Sequence, residues 1–338
     1  MAASPSNPML ARGRRFSVAP MMACTDRHER YFLRLLTRHT LLYTEMITAN
    51  ALVHGDADRL LAFDPSEHPV AVQLGGNDPA AMAHAAQRAE QAGYDEVNIN
   101  VGCPSDRVKS GCFGAALMAE PDTVGRCVSA MRRRVSVPVT VKTRIGIDDL
   151  DSYDHLRHFI ATVADAGCET FIIHARKAWL TGLSPRENRE IPPLRYDVAA
   201  ALKKDFPVLQ IVLNGGINTL EQTRTHLETF DGVMLGREPY RNPYLLSRVD
   251  REIFNEPGDS PDRLEVLTAY MDYIDAERRR GTRLHHMSRH IVGLFQGQPG
   301  AKRWRQCLTV GQASREAGRE VIEHALDAMD EVNAHAAA

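Results

Sequence analysis

A cysteine between glycine and proline is the residue of this sequence best suited to donate a proton. Cys103 lies in the segment Asn98–Ser105, Asn-Ile-Asn-Val-Gly-Cys-Pro-Ser, which begins within a short apolar run. Gly102 and Pro104 shape the backbone on both sides of the thiol. A thiol has an ordinary pKa near ~8.5, so at neutral pH it is mostly protonated and can protonate a developing carbanion. Most cysteines are small buried apolar residues, but this setting favours a functional role.

Other polar residues that could bind a ligand also end short apolar runs. Gln73 could donate to and accept from the edge of a heterocycle, Lys142 could stabilise an anionic ring, and His174 could donate to a carbonyl oxygen. A lysine at such a position could equally be the Schiff-base lysine of an aldolase. The three residues together suit a flavin ring better, because none of them has to act as a nucleophile.

These residues need a scaffold, and the sequence predicts alternating strands and helices. Eight short apolar runs rich in β-branched residues are predicted as buried strands: Phe16–Pro20, Leu41–Met46, Pro69–Leu74, Glu96–Val101, Pro138–Arg144, Thr170–Ala175, Val208–Asn214 and Gly232–Gly236. Segments between them are predicted as helices: Asp78–Ala92, Asp122–Arg134, Ser152–Ala166 and Thr219–Thr229. Asp122 and Thr219 stand where N-caps are expected, and Gly93 and Gly167 fall just past helix ends. The alternation favours an α/β fold, a closed (β/α)8 TIM barrel, whose chemistry lies at the C-terminal ends of the strands.

Two glycine-containing loops follow the seventh and eighth predicted strands. Asn214-Gly215-Gly216 ends one strand and Gly236-Arg237 the other. Glycine lets backbone N–H groups approach an anion, and paired loops at these positions form the usual phosphate site of this barrel. The alternative interpretation is that the glycines only make tight turns. The pattern is not G-x-G-x-x-G, so a dinucleotide-binding fold is disfavoured.

Length and composition indicate a second domain. The chain has 338 residues, 43% hydrophobic and 25% charged, as in an ordinary globular protein with a large core. The turn-rich segment 255–262 is predicted as a linker between a barrel of residues 1–254 and a helical domain of residues 263–338. The second domain has helical periodicity and no strand signal in three segments: Arg263–Arg280, His285–Gln296 and Gln312–Ala336.

The charge of this second domain is unevenly distributed. The net charge of −2 gives no hint of a nucleic-acid partner. Residues 278–305, however, contain eight Lys and Arg and no Asp or Glu. His285, His286 and His290 lie in the same stretch. A basic run is often only a solvated face, and it is also typical of a surface that binds nucleic acid. Both interpretations remain open at this point.

Cysteine spacing and hydropathy exclude several classes of protein. The six cysteines form no C-x-x-C pair, so we expect no disulfide framework and no metal site. Cys112, nine residues after Cys103, is expected to be structural. No stretch approaches the ~18 apolar residues of a membrane span. Met1–Arg15 lacks the apolar core of a secretory signal and is predicted as a frayed tail, so we expect a cytoplasmic protein.

Several motifs together resemble those of the tRNA-dihydrouridine synthases, over nearly the whole chain. The most specific is Asn98-x-Asn100-x-Gly102-Cys103-Pro104, followed by Val108 and Gly114-Ala115-Ala116-Leu117. The others stand in the family's order: Ala19-Pro20-Met21, Lys142-x-Arg144, Asn214-Gly215-Gly216-Ile217 and Gly236-Arg237. Two longer segments resemble the A-type subfamily, His174–Arg189 and Gly293–Arg305.

The resemblance implies an FMN-dependent flavoprotein that uses NADPH to reduce uridines at positions 20 and 20a of the tRNA D-loop. It implies that hydride goes to uracil C6 and that Cys103 is the general acid for C5. It implies an FMN site formed by Ala19, Pro20, Met21, Gln73, Lys142, His174, Asn214, Gly215, Gly216, Gly236 and Arg237. It implies tRNA contacts by Asn100, Arg186, Arg189, Lys302, Arg303 and Arg305. We expect the protein to be a monomer.

Three alternatives are compatible with parts of this pattern. A flavin barrel acting on a free pyrimidine or another small molecule would share the flavin site without needing the basic helices. A phosphate-binding lyase would use Lys142 as a Schiff base. An RNA-binding protein on an inactive barrel would not need Cys103 beside a flavin-like site, and the presence of Cys103 argues against it.

Overall fold

The structure is a computed structural model that describes residues 8–105, 111 and 113–337. Val108 of the predicted loop motif and Cys112, expected to be structural, lie outside the described residues, as do residues 1–7. The chain divides into two compact units. The barrel unit runs up to Ala23 and continues over His39–Gly236, and the helical unit combines Cys24–Arg38 with the chain from Arg237 onward.

Eight parallel strands form the sheet of the barrel unit, in the order β1-β8-β7-β6-β5-β4-β3-β2. A parallel bridge between Ser17 and Leu41 links the two end strands, and Val18 N donates to Leu41 O at 3.1 Å. The strands thus form a nearly closed barrel, which confirms the predicted TIM barrel. All eight predicted strands are present, with ends that differ by at most two residues: β1 Phe16–Val18, β2 Leu42–Thr48, β3 Val70–Gly75, β4 Glu96–Val101, β5 Val139–Arg144, β6 Thr170–His174, β7 Gln210–Asn214 and β8 Gly232–Leu235.

Helices surround the strands and make up the helical unit. In chain order the α-helices are α1 Pro8–Gly13, α2 Arg27–Leu36, α3 Ala49–His54, α4 Ala57–Leu60, α5 Pro79–Ala92, α6 Pro121–Arg132, α7 Tyr153–Asp165, α8 Tyr196–Asp205, α9 Leu220–Leu227, α10 Arg237–Arg241, α11 Val249–Glu252, α12 Arg263–Arg279, α13 His285–Ser288, α14 Ala301–Gly311 and α15 Arg319–Ala337. Short 3-10 helices cover Pro65–Glu67, Gly114–Ala119, Glu187–Arg189 and Pro243–Arg248. The helices expected between strands are confirmed as α5, α6, α7 and α9.

Of the four residues predicted to mark helix ends in the barrel, three are placed correctly. Thr219 caps α9 in a reciprocal capping box with Gln222, and Gly93 ends α5 in the left-handed conformation. Gly167 also has a positive φ, just beyond α7. The prediction of Asp122 as an N-cap was wrong, because α6 begins at Pro121 and Asp122 lies in its first turn. Proline is favoured at the first helical position, and an acidic residue in the first turn complements the helix dipole.

The prediction of a frayed tail as far as Arg15 was wrong from Pro8 onward. Residues Pro8–Gly13 form α1, and its Leu10 is only 1% exposed within a buried cluster that includes Tyr43. Arg14 then forms an ion pair with Glu96, the first residue of β4. Burial of Leu10 and pairing of the guanidinium order this segment against the N-terminal end of the barrel.

Near the start of the helical unit, Asp26 caps α2. The Asp26 carboxylate accepts from the backbone N–H groups of His28 and Glu29 at 2.9 and 3.0 Å. Asp26 also pairs with Arg289 and with His290, which is 2% exposed. His290 therefore has a structural role in the otherwise basic stretch.

The predicted helices of the C-terminal segment are partly confirmed. Arg263–Arg280 matches α12, but His285–Gln296 is helical only to Ser288, and the last helix begins at Arg319 rather than Gln312. Helix α14 was not predicted. After Ser288 the chain continues in turns, and within them Gly293 packs closely against other backbone: an added Cβ there would lie 2.3 Å from the carbonyl oxygen of Arg241.

The predicted domain boundaries, 1–254 and 263–338 with a linker at 255–262, stay a prediction. The compact units are divided differently, since residues 24–38 and 237–254 group with the later helices.

Candidate active site

The two-residue period of the strands sets which side chains share the barrel interior. In β4, Glu96, Asn98 and Asn100 alternate with valine and isoleucine, so they lie on one face. Parallel register aligns Asn98 with Gln73 of β3 and Asn100 with Lys142 of β5. The same register aligns Arg144 with His174 and His174 with Asn214. The register thus places Gln73 and Lys142 on the two strands that flank β4, and His174 directly beside Asn214.

The loop that carries Cys103 is held by Asn100. The Asn100 Oδ1 atom accepts from the backbone N–H groups of Gly102 at 3.1 Å and Cys103 at 2.9 Å. The Cys103 thiol, half-buried, donates to Ser105 Oγ at 3.4 Å, and the Cys103 carbonyl accepts from Ala115 N at 3.0 Å. The thiol therefore sits on a backbone restrained from both directions, just beyond the C-terminal end of β4.

Lys142 and Asn214 form the next part of the site. Lys142 Nζ donates to Asn214 Oδ1 at 3.1 Å, and Asn214 Nδ2 donates to the carbonyl oxygen of Met234 at 2.8 Å. Burial, together with the nearby Arg144, lowers the pKa of Lys142 to about 7, while Cys103 opposes the effect. A bound anion would restore the positive charge at this position.

The site is strongly electropositive around His174. Burial, followed by Arg144 and Lys142, lowers the pKa of His174 well below its ordinary value, so the ring is neutral at pH 7. Arg176 and Arg189 contribute to the same effect. The His174 Nδ1 atom is buried and has no hydrogen-bond partner among the described residues. A buried polar atom without a partner is costly, so this nitrogen is available to a ligand.

The two glycine loops differ in what fixes their glycines. Gly215 and Gly216 have φ of +112° and +73°, and an added Cβ would lie 3.1 Å from the His174 ring and 2.4 Å from Leu194. Tight turns and side-chain contacts therefore account for these two glycines. Gly236 has no positive φ, and among the described residues its Cβ would make only ordinary contacts, with Ala19 and Met21 at 3.9 Å each. A side chain would thus fit at Gly236 without a clash, so neither a tight turn nor close packing explains this glycine.

The remaining residues predicted for the cofactor follow β1 and β8. Ala19 N donates to the carbonyl oxygen of Leu235 at 2.7 Å, and Pro20 and Met21 extend beyond β1 with half-buried side chains. Gly236 is the last residue of the barrel unit, and Arg237 begins α10 in the helical unit.

The loop after β6 is organised by the buried Asn188. Its side-chain amide donates to the carbonyl oxygens of Trp179 at 2.9 Å and Leu183 at 3.2 Å, and it accepts from Trp179 N at 2.8 Å. The predicted tRNA contacts Arg186 and Arg189 flank Asn188 and are exposed, and Arg186 pairs with Glu190 at 3.7 Å. Both arginines are thus presented on a loop with a fixed backbone.

The predicted tRNA contacts of the helical unit lie on α14. Lys302 and Arg303 are exposed, and Arg305 is half-buried and donates to Gln296 at 3.2 Å. Trp304, between them, is fully buried and donates to the carbonyl oxygen of Ile291 at 3.2 Å. The buried indole orients the helix so that its basic residues remain at the surface.

Sequence reasoning missed part of the site. Arg144, noted only as a motif residue, donates from Nε to Gly102 O at 2.9 Å and from Nη1 to the carbonyl oxygens of Lys177 and Asn188, each at 3.0 Å. It links the Cys103 loop to the loop after β6. Glu96 and Thr140 were placed in strands without a role, although a buried carboxylate inside a barrel was a signal that could have been used.

In the part of the chain that the structure describes, no group of three or more His, Cys, Asp or Glu could hold a metal ion. None of the described helices is long and apolar enough to cross a membrane.

Fold and site together describe a (β/α)8 barrel with a restrained thiol and buried basic side chains at the C-terminal end of its strands. The structure is similar to that of a 2-naphthoyl-CoA reductase complex, with a TM-score of 0.56 at 13% identity. That match covers 70% of this chain and 49% of the other, about half its length, and it shows the fold alone.

Sequence comparisons identify the family. A family model for dihydrouridine synthase matches residues 17–330. Similar proteins named tRNA-dihydrouridine(20/20a) synthase occur in Synechocystis sp., at 57% identity over 92% of this chain and 93% of the relative, and in Escherichia coli K12, at 59% over 92% and 90%. Another, from Pseudomonas putida, is 61% identical over 88% of each chain. The chain belongs to the dihydrouridine synthase family and is an oxidoreductase, which excludes the lyase and the inactive scaffold.

Proposed function

We propose that this protein is an FMN-dependent synthase that reduces uridines 20 and 20a of the tRNA D-loop to 5,6-dihydrouridine, with NADPH as reductant. The names of its relatives support the substrate and the positions. The observation that carries the chemistry is Cys103, held by Asn100 at the end of β4 near the basic side chains of Lys142 and Arg144. An acid and an electropositive anion site at one barrel mouth are what this reduction requires.

The residues fit FMN on two observations. The buried His174 Nδ1 lacks a partner among the described residues, and Gly236 is a position where an added Cβ would not clash with them. The phosphate would be held by Asn214, Gly215, Gly216, Gly236 and Arg237, at the position of the usual phosphate site of these barrels. The ring would be held by the rest of the set: Ala19, Pro20, Met21, Gln73, Lys142 and His174. When bound, FMN supplies to uracil C6 the hydride that it takes from NADPH.

The chain's own residues provide the proton and the electrostatic environment. Cys103 Sγ transfers its proton to C5, so that one hydrogen is added to each carbon of the C5–C6 double bond. Lys142 carries a positive charge when an anion is bound next to it. This charge would stabilise negative charge that develops on the pyrimidine dione or on the cofactor. Asn100 holds the Cys103 backbone and contacts the base that enters the pocket.

The tRNA has to present an unstacked uridine, because the C5–C6 bond is inaccessible inside a folded RNA. Arg186 and Arg189 on the barrel unit and Lys302, Arg303 and Arg305 on the helical unit would bind phosphates and fix the register. We propose a monomer that acts in the cytoplasm, where tRNA and NADPH are available.

Replacement of Cys103 by alanine tests the assignment. The Cys103→Ala variant should bind FMN and be reduced by NADPH as the wild type is, but form dihydrouridine at least about a hundredfold more slowly, a typical loss for a general acid. NADPH oxidation is followed by absorbance, and dihydrouridine at each position by mass spectrometry of tRNA. Cys307→Ala on α14 is the matched control and should be fully active. Full turnover by Cys103→Ala would refute the acid, and dihydrouridine at positions other than 20 and 20a would refute the site assignment.

A further inference from the structure

A continuous chain of buried hydrogen bonds runs from the N-terminal end of the barrel toward the Cys103 loop. It begins at Glu96, whose side chain is fully buried. The Glu96 carboxylate accepts from Arg14 Nε at 2.8 Å, from Tyr43 OH at 2.7 Å and from Thr140 Oγ1 at 2.6 Å. Thr140 Oγ1 in turn accepts from Asn98 Nδ2 at 2.9 Å.

The chain continues across two strands to the loop. Asn98 Oδ1 accepts from Gln73 Nε2 at 2.8 Å, and Gln73 Oε1 accepts from Asn100 Nδ2 at 2.8 Å. Asn100 Oδ1 then accepts from the backbone N–H groups of Gly102 and Cys103. Gln73 and Asn98 are at most 1% exposed, and Asn100 is 9% exposed, so water competes little for these bonds.

The direction of every bond is set independently from both ends. A carboxylate only accepts, so Thr140 must donate to Glu96 and can serve Asn98 only as an acceptor. The Asn98 and Gln73 amides are thereby oriented in turn. At the other end, two N–H groups require the Asn100 oxygen, so its NH2 group must face Gln73. Both ends demand the same orientation, and no donor faces a donor along the chain.

We infer that Glu96 and Thr140 are positioning residues for the Cys103 loop, acting through the oriented amides of Asn98, Gln73 and Asn100. The inference deepens the proposed function and rests on it only for the effect on catalysis. A threonine hydroxyl can both donate and accept a hydrogen bond. Because the Thr140 hydroxyl must donate to the Glu96 carboxylate, it accepts from Asn98 and so determines the orientation of the Asn98 amide. Without it, Asn98 Nδ2 loses its acceptor, and the orientation of the amides depends only on the two N–H groups of the loop that the chain is meant to hold, those of Gly102 and Cys103.

Two substitutions of Thr140 separate positioning from packing. Thr140→Val keeps the volume and removes the hydroxyl, whereas Thr140→Ser keeps the hydroxyl and removes a methyl group from a buried site. If Thr140 only fills space, valine should be the better replacement. If it positions the loop, serine should be the better one. The two interpretations predict opposite rank orders.

The first measurement is hydrogen exchange at the Gly102 and Cys103 amides in the protein without added cofactor. Thr140→Val should speed exchange there by roughly tenfold, the factor for one buried hydrogen bond, whereas Thr140→Ser should stay near wild type. Thr170→Val is the matched control, because the Thr170 hydroxyl is buried and donates to Gln210, outside the chain to Cys103. It should leave this exchange unchanged.

The second measurement is the rate at which pre-reduced enzyme forms dihydrouridine in tRNA in a single turnover. Thr140→Val should lose roughly tenfold and Thr140→Ser should retain most of the rate. Equal exchange and equal rates in the two variants, or serine worse than valine, would overturn the inference. If Thr140→Val does not fold, Asn98→Leu removes the next link and is compared in the same way. Wild-type protein that forms no dihydrouridine would refute the proposed function, while the exchange result would still decide the positioning role.

Discussion

Replacing Lys142 with methionine should stabilise the protein while weakening cofactor binding. Lys142 is half-buried, and burial lowers its pKa from 10.5 to about 7. That difference corresponds to about 5 kcal/mol at ~1.36 kcal/mol per pKa unit. Because the side chain keeps some contact with solvent, which screens the charge, we halve the value and expect a gain of about 2 kcal/mol at pH 7. Methionine has a similar length and carries no charge.

The pH dependence of this gain has a definite sign. The folded state lowers the pKa of Lys142, so between pH 7 and pH 10.5 the unfolded chain binds the extra proton and the wild type becomes more stable as pH rises. The gain from Lys142→Met should therefore be greatest at or below pH 7 and fall to about a third at pH 9.5.

The assay is urea unfolding of the cofactor-free protein at pH 7 and pH 9.5, with FMN affinity measured separately by fluorescence. Lys204→Met, at an exposed lysine of α8, is the control and should change stability by less than about 0.5 kcal/mol. FMN affinity should fall about tenfold in Lys142→Met only, the loss typical of one charge-assisted contact. A destabilised Lys142→Met variant, or a gain that is the same at both pH values, would refute the reasoning.

Three further predictions concern other parts of the molecule. Burial lowers the pKa of His28 to about 4, so the wild type becomes less stable as pH falls from 6.5 to 4. Between pH 7 and pH 5, urea unfolding should show a loss of unfolding free energy that is about 2 kcal/mol smaller in His28→Gln than in the wild type. Thr219→Ala removes the capping box of α9 and should reduce the free energy of unfolding by about 1 kcal/mol in the same assay. Joint replacement of Arg303 and Arg305 by glutamine should weaken tRNA binding and reduce its salt slope by about one to two, with NADPH oxidation unchanged.

Each of these has a control and a contradicting outcome. His28→Gln with the wild-type pH dependence would show that His28 is not buried as a neutral ring. Thr225→Ala, an exposed position in α9, should be nearly neutral, and equal losses at Thr219 and Thr225 would contradict the capping argument. Glutamine at Arg133 and Arg134, exposed beside the end of α6, removes the same charge, and an equal change of salt slope there would contradict a specific role for α14.

The barrel could be predicted from local pattern because each βα unit carries its own signal. The strands are short runs of β-branched residues, and the helix limits are marked by Thr219 and Gly93, whose effects act within one turn. The same local reasoning failed at α14, and before this helix Gly293 packs against the backbone carbonyl of Arg241, a contact between residues far apart in sequence that local pattern does not show. It failed also at α1, which is ordered by burial of Leu10 rather than by its own propensity.

The sequence by itself determined which residues could do chemistry. Cys103, Lys142 and His174 lie at or just after the C-terminal ends of predicted strands, where the active sites of such barrels lie. Tertiary structure decided how they are held. The clamp of Arg144 on the Cys103 loop joins residues far apart in sequence. The direction of the amide chain from Glu96 depends on strand register, because hydrogen bonds of 2.6 to 2.9 Å form only when side chains from three strands are brought into contact. Residue types and their spacing in the sequence specify the chemical groups of the site, and the register of the strands specifies the hydrogen-bond partners of those groups.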